Sequence, residues 1–483
     1  MDLVRQFNRL AGENKSLIQK ALTSATGVGE ALVPQHLEQV ITNALPRLSP
    51  TLAMIEPKFD NQKYHEFNRL ITLPGVGGAM GEGATTPTFQ PTFQRTGVYM
   101  KVIRRKGSTT DFLQDASKKN IDAAATNIEA NMLAHVYDLE NYILYGNAGA
   151  NQYEFSGLDH FVTTNRINKT VGGVVPTSLK TLDDLIDTNL DYQGISHKKA
   201  IYMSPYMLSK FSQLLTNVRL NQGLSGQMSQ VDIPGGWRLN AYRDIPIIVS
   251  SACRPKTQMG TVTPADVTDG GTIVDSGTWY IMISAMTRDG EQLASAEATA
   301  TTGTGGATDA HAISLTFTPV VGAYRYKVYT GTASGTLTLS RIVPAFTYDA
   351  NGTISVSDTD IIGTAGFTSV TSNSAGAVNV ITLLSNPVIA DTASVPVGLQ
   401  ADVPLTGSLA NPPEYVFFWD LDEYQGLGRL PYTNEGGSRF NGLVTFEDLA
   451  KTDDFLPFML KSYCALADSY EKTSSVIRGL KVA

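Results

Sequence analysis

All of the net charge of this chain comes from one internal block. Between Gln258 and Asn411 there are 4 Lys+Arg and 12 Asp+Glu residues, a net charge of -8, which equals the formal charge of the whole 483-residue sequence. The block is rich in Thr, Ser, Gly and Ala, whereas the sequence on both sides is charge-balanced. So sharp a change indicates an inserted or appended domain. Because the earlier style of sequence returns at Pro412, we predict an insertion over 258–411.

The hydrophobic pattern of the block predicts strands. From Thr278 to Met286, large side chains at Trp279, Ile281 and Ile283 alternate with those of the opposite face. A hairpin-type turn is expected at Arg288–Glu291, and two more alternating runs follow at 313–317 and 324–329. Short strands at this spacing are typical of a small all-β sandwich.

A long hairpin is predicted upstream. Its arms are Tyr64 to Leu73 and Phe93 to Arg104, both rich in aromatic and β-branched residues. The sequence between the arms holds too many glycines and prolines to pack as a sheet interior. Such a tip lacks internal packing, so we expect partner subunits to supply it. The candidate assembly residues of the tip are Pro74, Gly75, Gly77, Gly78, Glu82, Pro87 and Pro91.

One helix is expected from Thr110 to Tyr145, with Thr110–Asp111 as the N-cap and Gly146–Asn147 as the stop. At 1.5 Å per residue it would span about 50 Å, which indicates an elongated subunit. Apolar residues recur on one face at helical steps, and this face is a second candidate assembly surface. Its residues are Ile121, Ile128, Met132, Leu139 and Ile143.

The remaining flanks predict a mixed body. Helices are expected over residues 1–25 and 34–45, and alternating helices and strands over 177–249, where Ser204–Pro205 begins a helix. After the block, an apolar strand is expected at Tyr415–Trp419, and the last strand pair near 459–466 and 475–482.

No motif predicts catalysis, and we expect no catalytic, cofactor-binding or metal-binding residue. Phosphate-loop, nucleophile-elbow and zinc patterns are missing from the sequence, and its six histidines are scattered. Cys253 and Cys464 are expected to be free thiols. No apolar run approaches the roughly 18 residues of a membrane helix. Basic residues cluster at 101–106 and 198–199, where a solvated strand end, ion pairs between subunits and nucleic-acid contact all remain open.

Six segments, in this order, resemble the major capsid proteins of tailed bacteriophages, the HK97-type fold. They cover the segment after the N-terminal arm, the first arm of the extended E-loop, the end of the spine helix and the stretch after it, a strand-to-helix step, and the closing strand. In this sequence they are residues 29–37, 64–73, 139–147, 155–159, 201–205 and 476–482. The likeness covers about 1–257 and 412–483.

This resemblance implies an α+β capsid fold with an inserted all-β sandwich. The implied divisions are an N-terminal arm (1–50), an E-loop hairpin (51–108), the spine helix and start of the peripheral domain (109–176), an α/β body (177–257), the inserted block (258–411), and a return to the body with the C-terminal strands (412–483).

The same resemblance implies a shell protein without catalysis. Hexamers and pentamers would self-assemble in the bacterial host cytoplasm into the icosahedral shell of a virion, around double-stranded DNA contacted non-specifically. A portal would be a partner, and the protein would have no cofactor and no membrane contact.

Two features depart from the pattern of some relatives. Only about 30 residues precede the segment Leu32–Val33–Pro34, so we expect a separate scaffolding protein rather than a cleaved propeptide. No lysine lies between Arg69 and Met100, which disfavours a covalent crosslink at the hairpin tip.

The insertion resembles immunoglobulin-like or fibronectin type III modules, with the order of their strands reversed. Its acidic surface favours outward display, for bracing the shell, binding a decoration protein or attaching to a host surface. Two alternatives remain: an encapsulin-type nanocompartment that holds protein cargo, and an adhesive or carbohydrate-binding protein built around the β-module.

Overall fold

The protein is described by a computed structural model. It describes residues 57–59, 63–75, 82, 85, 88–117, 122–169, 171–187, 199–222, 228–233, 237–243, 245–268, 271–304, 310–345, 347–348, 354–355, 367–368, 379–421, 424–428, 444–451, 454–468 and 471–483. The two helices expected within 1–45 lie outside these residues, as do Gly77, Gly78, Pro87 and Ile121.

The first third of the described chain contains the hairpin and two helices. Its elements are β1 (Pro57–Phe59), β2 (Tyr64–Thr72), β3 (Thr92–Tyr99), β4 (Lys101–Thr110), α1 (Asp111–Ser117) and α2 (Ala123–Tyr145). Strands β2 and β3 form an antiparallel two-stranded sheet in which Tyr64 lies opposite Tyr99. The second arm therefore ends at Tyr99, and the expected continuation through Arg104 belongs to β4, which pairs with a different sheet.

The single helix expected over Thr110–Tyr145 is wrong at its start. Asp111 begins the short helix α1, while the long helix begins at Ala123. Asp122 provides the physical reason, because its carboxylate accepts the backbone N–H of Ala125 at 3.0 Å as an N-cap does. Its predicted end at Tyr145 is confirmed.

The α/β body follows the predicted order. Its elements are α3 (Leu158–Phe161), β5 (Arg166–Asn168), α4 (Lys180–Asp187), β6 (Lys199–Met203), α5 (Pro205–Gln222), β7 (Met228–Ile233), β8 (Trp237–Tyr242) and β9 (Ile245–Val249). The cap predicted at Ser204 is confirmed, since its hydroxyl accepts the N–H of Met207 at 3.1 Å. A short 3-10 helix, Ser251–Cys253, then leads into the acidic block.

Within the described residues of 258–411, every regular element except one 3-10 helix is a strand. They are β10 (Val262–Val267), β11 (Thr278–Thr287), β12 (Gly290–Glu291), β13 (Ala298–Thr301), β14 (Ala312–Phe317), β15 (Arg325–Gly331), β16 (Thr338–Pro344), β17 (Thr347–Tyr348), β18 (Ile354–Ser355), β19 (Phe367–Thr368), β20 (Asn379–Leu383) and the 3-10 helix Val397–Ala401. The turn predicted at Arg288–Glu291 is confirmed, because Thr287 pairs with Gly290.

The C-terminal part holds β21 (Glu414–Asp420), β22 (Tyr424–Gly428), β23 (Val444–Asp448), β24 (Phe455–Asp468), the 3-10 helix Glu471–Thr473 and β25 (Ser475–Leu480). The last two strands do not pair with each other as expected. Strand β24 lies between β22 and β23, whereas β25 lies between β5 and β21.

Four larger sheets result. A seven-stranded sheet runs in the order β5-β25-β21-β6-β9-β8-β7, and a five-stranded sheet runs β1-β22-β24-β23 with β4 also on β24. In the block, one sheet runs β10-β14-β20-β19 and the other β12-β11-β15-β16 with β13 also on β11. The mixed α and β composition, with mostly sheet, is confirmed.

The two sheets of the block share one apolar core. Trp279, Ile281 and Ile283 of β11 pack there together with Leu315 and Phe317 of β14, as the alternation predicted. The opposite face of β11 and β15 is also covered, because Met282 and Tyr329 lie in a second buried cluster. The sheet that contains β11 and β15 is therefore buried on both faces.

Two compact units divide the chain. Among the described residues, the smaller contains Ser108–Asn127 and Lys451–Leu456. The larger contains the other described residues, so it holds the described parts of the acidic block together with the α/β body. The block does not separate as a compact unit of its own.

Candidate functional site

The hairpin leaves a row of large apolar side chains uncovered. Leu73 is 76% exposed and Phe93 67% exposed, and Leu70, Ile71, Phe89 and Tyr99 are also exposed. An isolated two-stranded sheet is marginally stable in water, and contiguous exposed apolar residues mark an interaction surface. The hairpin thus has the features of a segment that a partner covers.

The predicted tip residues that the structure describes lie at the end of this hairpin. Pro74, Gly75, Glu82 and Pro91 are all exposed. Gly75 lies against the ring of Phe89, where an added Cβ would come within 2.9 Å of Cδ1. The other tip residues, Gly77, Gly78 and Pro87, lie outside the described part of the chain.

The predicted face of the long helix lies against the main apolar core of the chain. Leu139 and Ile143 are buried in that core, and Ile128 and Met132 pack on its margin. Ile121 lies outside the described residues. Within one subunit, this face contributes to folding.

A buried ion network joins the acidic block to the body. We define it by six side chains, each between 0% and 6% exposed: Asp159, Arg166 and Arg478 of the body, and Glu291, Lys327 and Asp402 of the block. Three are cations and three are carboxylates, so the network is charge-balanced. We call it the junction network.

Most contacts of the junction network cross between body and block. Arg166 of the body holds Asp402 of the block with two hydrogen bonds, at 2.5 and 2.6 Å. Arg478 contacts Glu291 at 2.8 Å and Asp402 at 3.1 Å. Lys327 contacts Glu291 at 2.8 Å and reaches Asp159 of the body at 3.6 Å. The body and the block thus each supply charges that neutralise charges of the other.

Tyrosine hydroxyls complete the hydrogen bonding of the network. Both Tyr415 of the body and Tyr329 of the block donate to the carboxylate of Glu291. Tyr415 also accepts from Nε of Arg478 at 2.7 Å. A buried ion pair is tolerated only when its remaining polar atoms are satisfied, and Glu291 meets that condition.

The electrostatics of the network favour its charged state. Burial alone would raise the pKa of Glu291, but Arg478 and Lys327 outweigh it and hold that pKa below its ordinary value. At Asp159, burial is likewise outweighed by Arg166, and then by Lys327 and Arg478, so the pKa is lowered. Both carboxylates are therefore ionised near neutral pH.

A second seam joins the block to helix α2. Asp138 on the helix contacts Arg288 of the block at 2.6 Å and Arg105 of β4 at 2.5 Å. These groups line a cleft of about 570 Å³. Nearby, Tyr324 donates to the Asn141 side chain at 2.8 Å.

The turn of the block is tightly fitted against the body. Gly290 has φ +82°, and an added Cβ would come within 2.2 Å of the Ala252 carbonyl oxygen. Only glycine accommodates both the positive φ and this close approach.

Two histidines are buried in the body. His135 is 0% exposed, its Nε2 lies 2.8 Å from the Ser462 hydroxyl, and burial lowers its pKa to about 4. His160, next to Asp159, has a pKa that burial lowers to about 4. His135 is thus a buried, neutral residue of the long helix.

Sequence reasoning missed the junction network. In the alternating run 324–329, Arg325 and Lys327 fall on one face of the strand and Tyr326 and Val328 on the other, a pattern that ordinarily indicates a solvated face. In the structure all seven residues of β15 are buried. The sequence signal that could have revealed this burial is that large side chains occupy both faces of that strand.

Among the described residues, no group of His, Cys, Asp and Glu is arranged to hold a metal ion. Cys253 and Cys464 are free and buried, as expected. Within the described ranges no helix is long and apolar enough to cross a membrane.

Comparison with known families gives one match. Residues 17–241 match the SU10 major capsid protein family. The resemblance to phage major capsid proteins is therefore shown. The match ends before the acidic block and covers the hairpin, the long helix and most of the α/β body. Members of this family are structural capsid proteins.

Solved structures to which the chain shows similarity include three assemblies. The holo-SrpI encapsulin complex of Synechococcus elongatus has a TM-score of 0.44 at 9% identity, covering 96% of this chain and 98% of that one. The capsid of a native GTA particle has a TM-score of 0.46 at 8% identity, covering 95% and 99%. The capsid of cyanophage A-1(L) has a TM-score of 0.43 at 13% identity, covering 93% and 98%. No match was found among curated proteins.

Proposed function

We propose that this chain is the major capsid protein of a tailed phage, with an HK97-type fold. The observation that carries the proposal is the match of residues 17–241 to a major capsid protein family. The exposed hairpin supports it, because Leu73 and Phe93 have no covering residue within the described chain and a neighbouring subunit would provide one.

In this proposal many copies assemble as hexamers and pentamers into an icosahedral shell around double-stranded DNA. The hairpin lies across an adjacent subunit as an E-loop does, and its tip residues contact that subunit. Assembly takes place in the host cytoplasm, with a portal and a separate scaffolding protein as partners.

The acidic block is, in this proposal, an inserted β-sandwich that is a permanent part of the subunit. The shared core of its two sheets supports the sandwich. The junction network supports the permanent attachment, since Arg166 and Arg478 of the body find their carboxylates in the block. Of the roles expected for the block, this arrangement favours bracing of the shell.

Electron microscopy of the purified protein, expressed with and without a candidate scaffolding protein, tests the proposal. We expect closed shells, tubes or rings of capsomers. The diameter of closed shells separates a phage head from a nanocompartment. A monodisperse small species under every condition would contradict a shell function and would favour a binding module.

A further inference from the structure

A basic cleft lies at the base of the hairpin. Its volume is about 620 Å³, and it lies between β4, β24 and the loop that contains Gln152. Four cationic side chains line it together with three tyrosines, and we define the basic cleft by those cations: Lys63, Lys101, Arg104 and Lys461.

The positive charge of the basic cleft is only partly neutralised within the chain. Lys461 pairs with Glu447 at 2.5 Å, and Lys101 donates at 2.6 Å to the neutral carbonyl of Gln152. In the described ranges, neither Lys63 nor Arg104 has a carboxylate at salt-bridge distance.

The lysines of the cleft also act on each other. Burial, and after it the charge of Lys63, lowers the pKa of Lys101. Cations that are held together in this way gain from an arriving anion, because it relieves their mutual repulsion. The cleft therefore suits one or two carboxylates or a similar oxyanion.

The acidic block supplies such groups in excess at its surface. Its basic residues add little positive charge to its surface: Arg325, Lys327 and Arg341 are between 2% and 3% exposed, and Arg288 pairs with Asp138 of the body. Carboxylates that no lysine or arginine contacts at salt-bridge distance remain on the described part of the block, namely Asp266, Glu297 and Asp391. The surface of the block is thus more acidic than its composition indicates.

We propose that the basic cleft of one subunit binds acidic side chains of the block 258–411 of a second copy. The inference rests on the proposed shell function, in which every copy carries both surfaces. A contact between two different surfaces of the same chain is head-to-tail, and it closes into rings when the rotation permits. Of the alternatives left open for the basic residues at 101–106, this proposal selects ion pairs between subunits.

Nucleic acid fits the cleft less well. Duplex DNA carries one negative charge per about 1.7 Å, and backbone binding typically uses about six to ten phosphate contacts. Only three cations of the cleft, Lys63, Lys101 and Arg104, have no carboxylate at salt-bridge distance among the described residues. A short acidic protein segment matches that number better than a duplex does.

Carbodiimide crosslinking of assembled particles tests this contact, since the reagent joins a lysine to a carboxylate without a spacer. Particles are formed from an equal mixture of ¹⁵N-labelled and unlabelled subunits and are digested for mass spectrometry. We expect mixed-isotope peptides that join Lys63 or Lys101 to an Asp or Glu of 258–411. Their yield should fall several-fold in about 1 M salt, where charges are screened beyond about 3 Å.

Two variants serve as a matched pair. Lys63→Gln with Arg104→Gln should reduce the Lys101 crosslinks several-fold, whereas Lys106→Gln, an exposed position of the same strand outside the cleft, should leave them unchanged. Crosslinks confined to one isotope, crosslinks to other segments only, or protection of Lys63 only in DNA-filled particles would each overturn the inference. If no particles form at all, the proposed function fails as well, whereas particles without the crosslink contradict the inference alone.

Discussion

At the scale of residues, Arg478 is the cation shared most widely across the junction. Its guanidinium contacts Glu291 at 2.8 Å and Asp402 at 3.1 Å, and the side chain is 1% exposed. A buried ion pair contributes little when intact, yet removing one partner leaves an uncompensated buried charge. The junction is therefore sensitive to single substitutions.

Arg478→Leu should lower the free energy of unfolding by about 3–5 kcal/mol, because Glu291 and Asp402 lose a cation that burial makes essential. The control is Arg95→Leu, which removes the exposed Glu66 pair of the hairpin at 3.5 Å and should cost less than about 1 kcal/mol. Urea unfolding of the unassembled subunit measures both. Equal losses in the two variants would contradict the importance of the junction network.

Acid should destabilise the subunit through its buried histidines. The folded pKa of His135 and of His160 is about 4, below the unfolded value of about 6.5. Between these values the unfolded chain binds more protons, so the free energy of unfolding falls as the pH drops from about 6.5 to about 4. The carboxylates of Glu291 and Asp159, with lowered pKa values, lose their contribution only below about pH 4.

Urea midpoints measured at half-unit steps between pH 7 and pH 4 check this slope. His135→Gln retains an amide near the Ser462 hydroxyl and should flatten the slope, since one titrating group is removed. An unchanged slope in that variant would show that His135 does not contribute.

At the scale of elements, the hairpin β2–β3 differs from all other strands of the body. It forms a sheet of two strands only, and the outer half of the hairpin is exposed on both arms. Near its base, Phe67 and Val98 pack on the main core, whereas Leu73 and Phe93 of the outer half are largely exposed in the described chain. In the proposed function, this outer half contacts a neighbouring subunit.

Leu73→Ser with Phe93→Ser should therefore reduce the yield of assembled particles strongly. The free energy of unfolding of the free subunit, measured in urea, should change by less than about 0.5 kcal/mol, as is usual for exposed positions. Removal of 75–90 should have the same effect on assembly. Glu66→Gln is the control on the same strand and should assemble normally. Unaltered particles from the double variant would contradict the role of the hairpin.

At the scale of the whole molecule, the acidic block and the body form one compact unit. The junction network, the Asp138 seam and the Gly290 turn all cross between them. Residues from both parts also share one apolar cluster, in which Met286 and Leu293 of the block pack with body residues such as Tyr415. The block behaves as part of the subunit core.

Replacing 258–411 by a short linker should accordingly abolish folding, because Arg166 and Arg478 lose all of their block carboxylates and the body core loses its cover. Solubility, circular dichroism and limited proteolysis of the deletion variant provide the measurement. A soluble variant that unfolds cooperatively would show that the block is a removable decoration. A matched variant that shortens only the hairpin tip should remain folded.

The sequence alone was sufficient for elements whose signals are local. Alternation placed β11 and assigned its inner face at Trp279, Ile281 and Ile283, and the Ser204 cap placed the start of α5. Ordered segments gave the capsid resemblance that the family match shows. Periodicity, caps and turn residues act within a few positions, so they can be read without the fold.

Tertiary structure decided what depends on distant partners. The helical periodicity of the sequence continues through Asp122 and so does not mark a helix start there. In the structure the Asp122 carboxylate caps the long helix, which begins at the next residue. Arg325 and Lys327 look solvated in sequence and are buried, because Glu154 and Glu291 lie opposite them only after the chain has folded. The ion pairs of Lys327 with Glu291 and of Arg166 with Asp402 join residues that are 36 and 236 positions apart. No local pattern encodes which charges will meet.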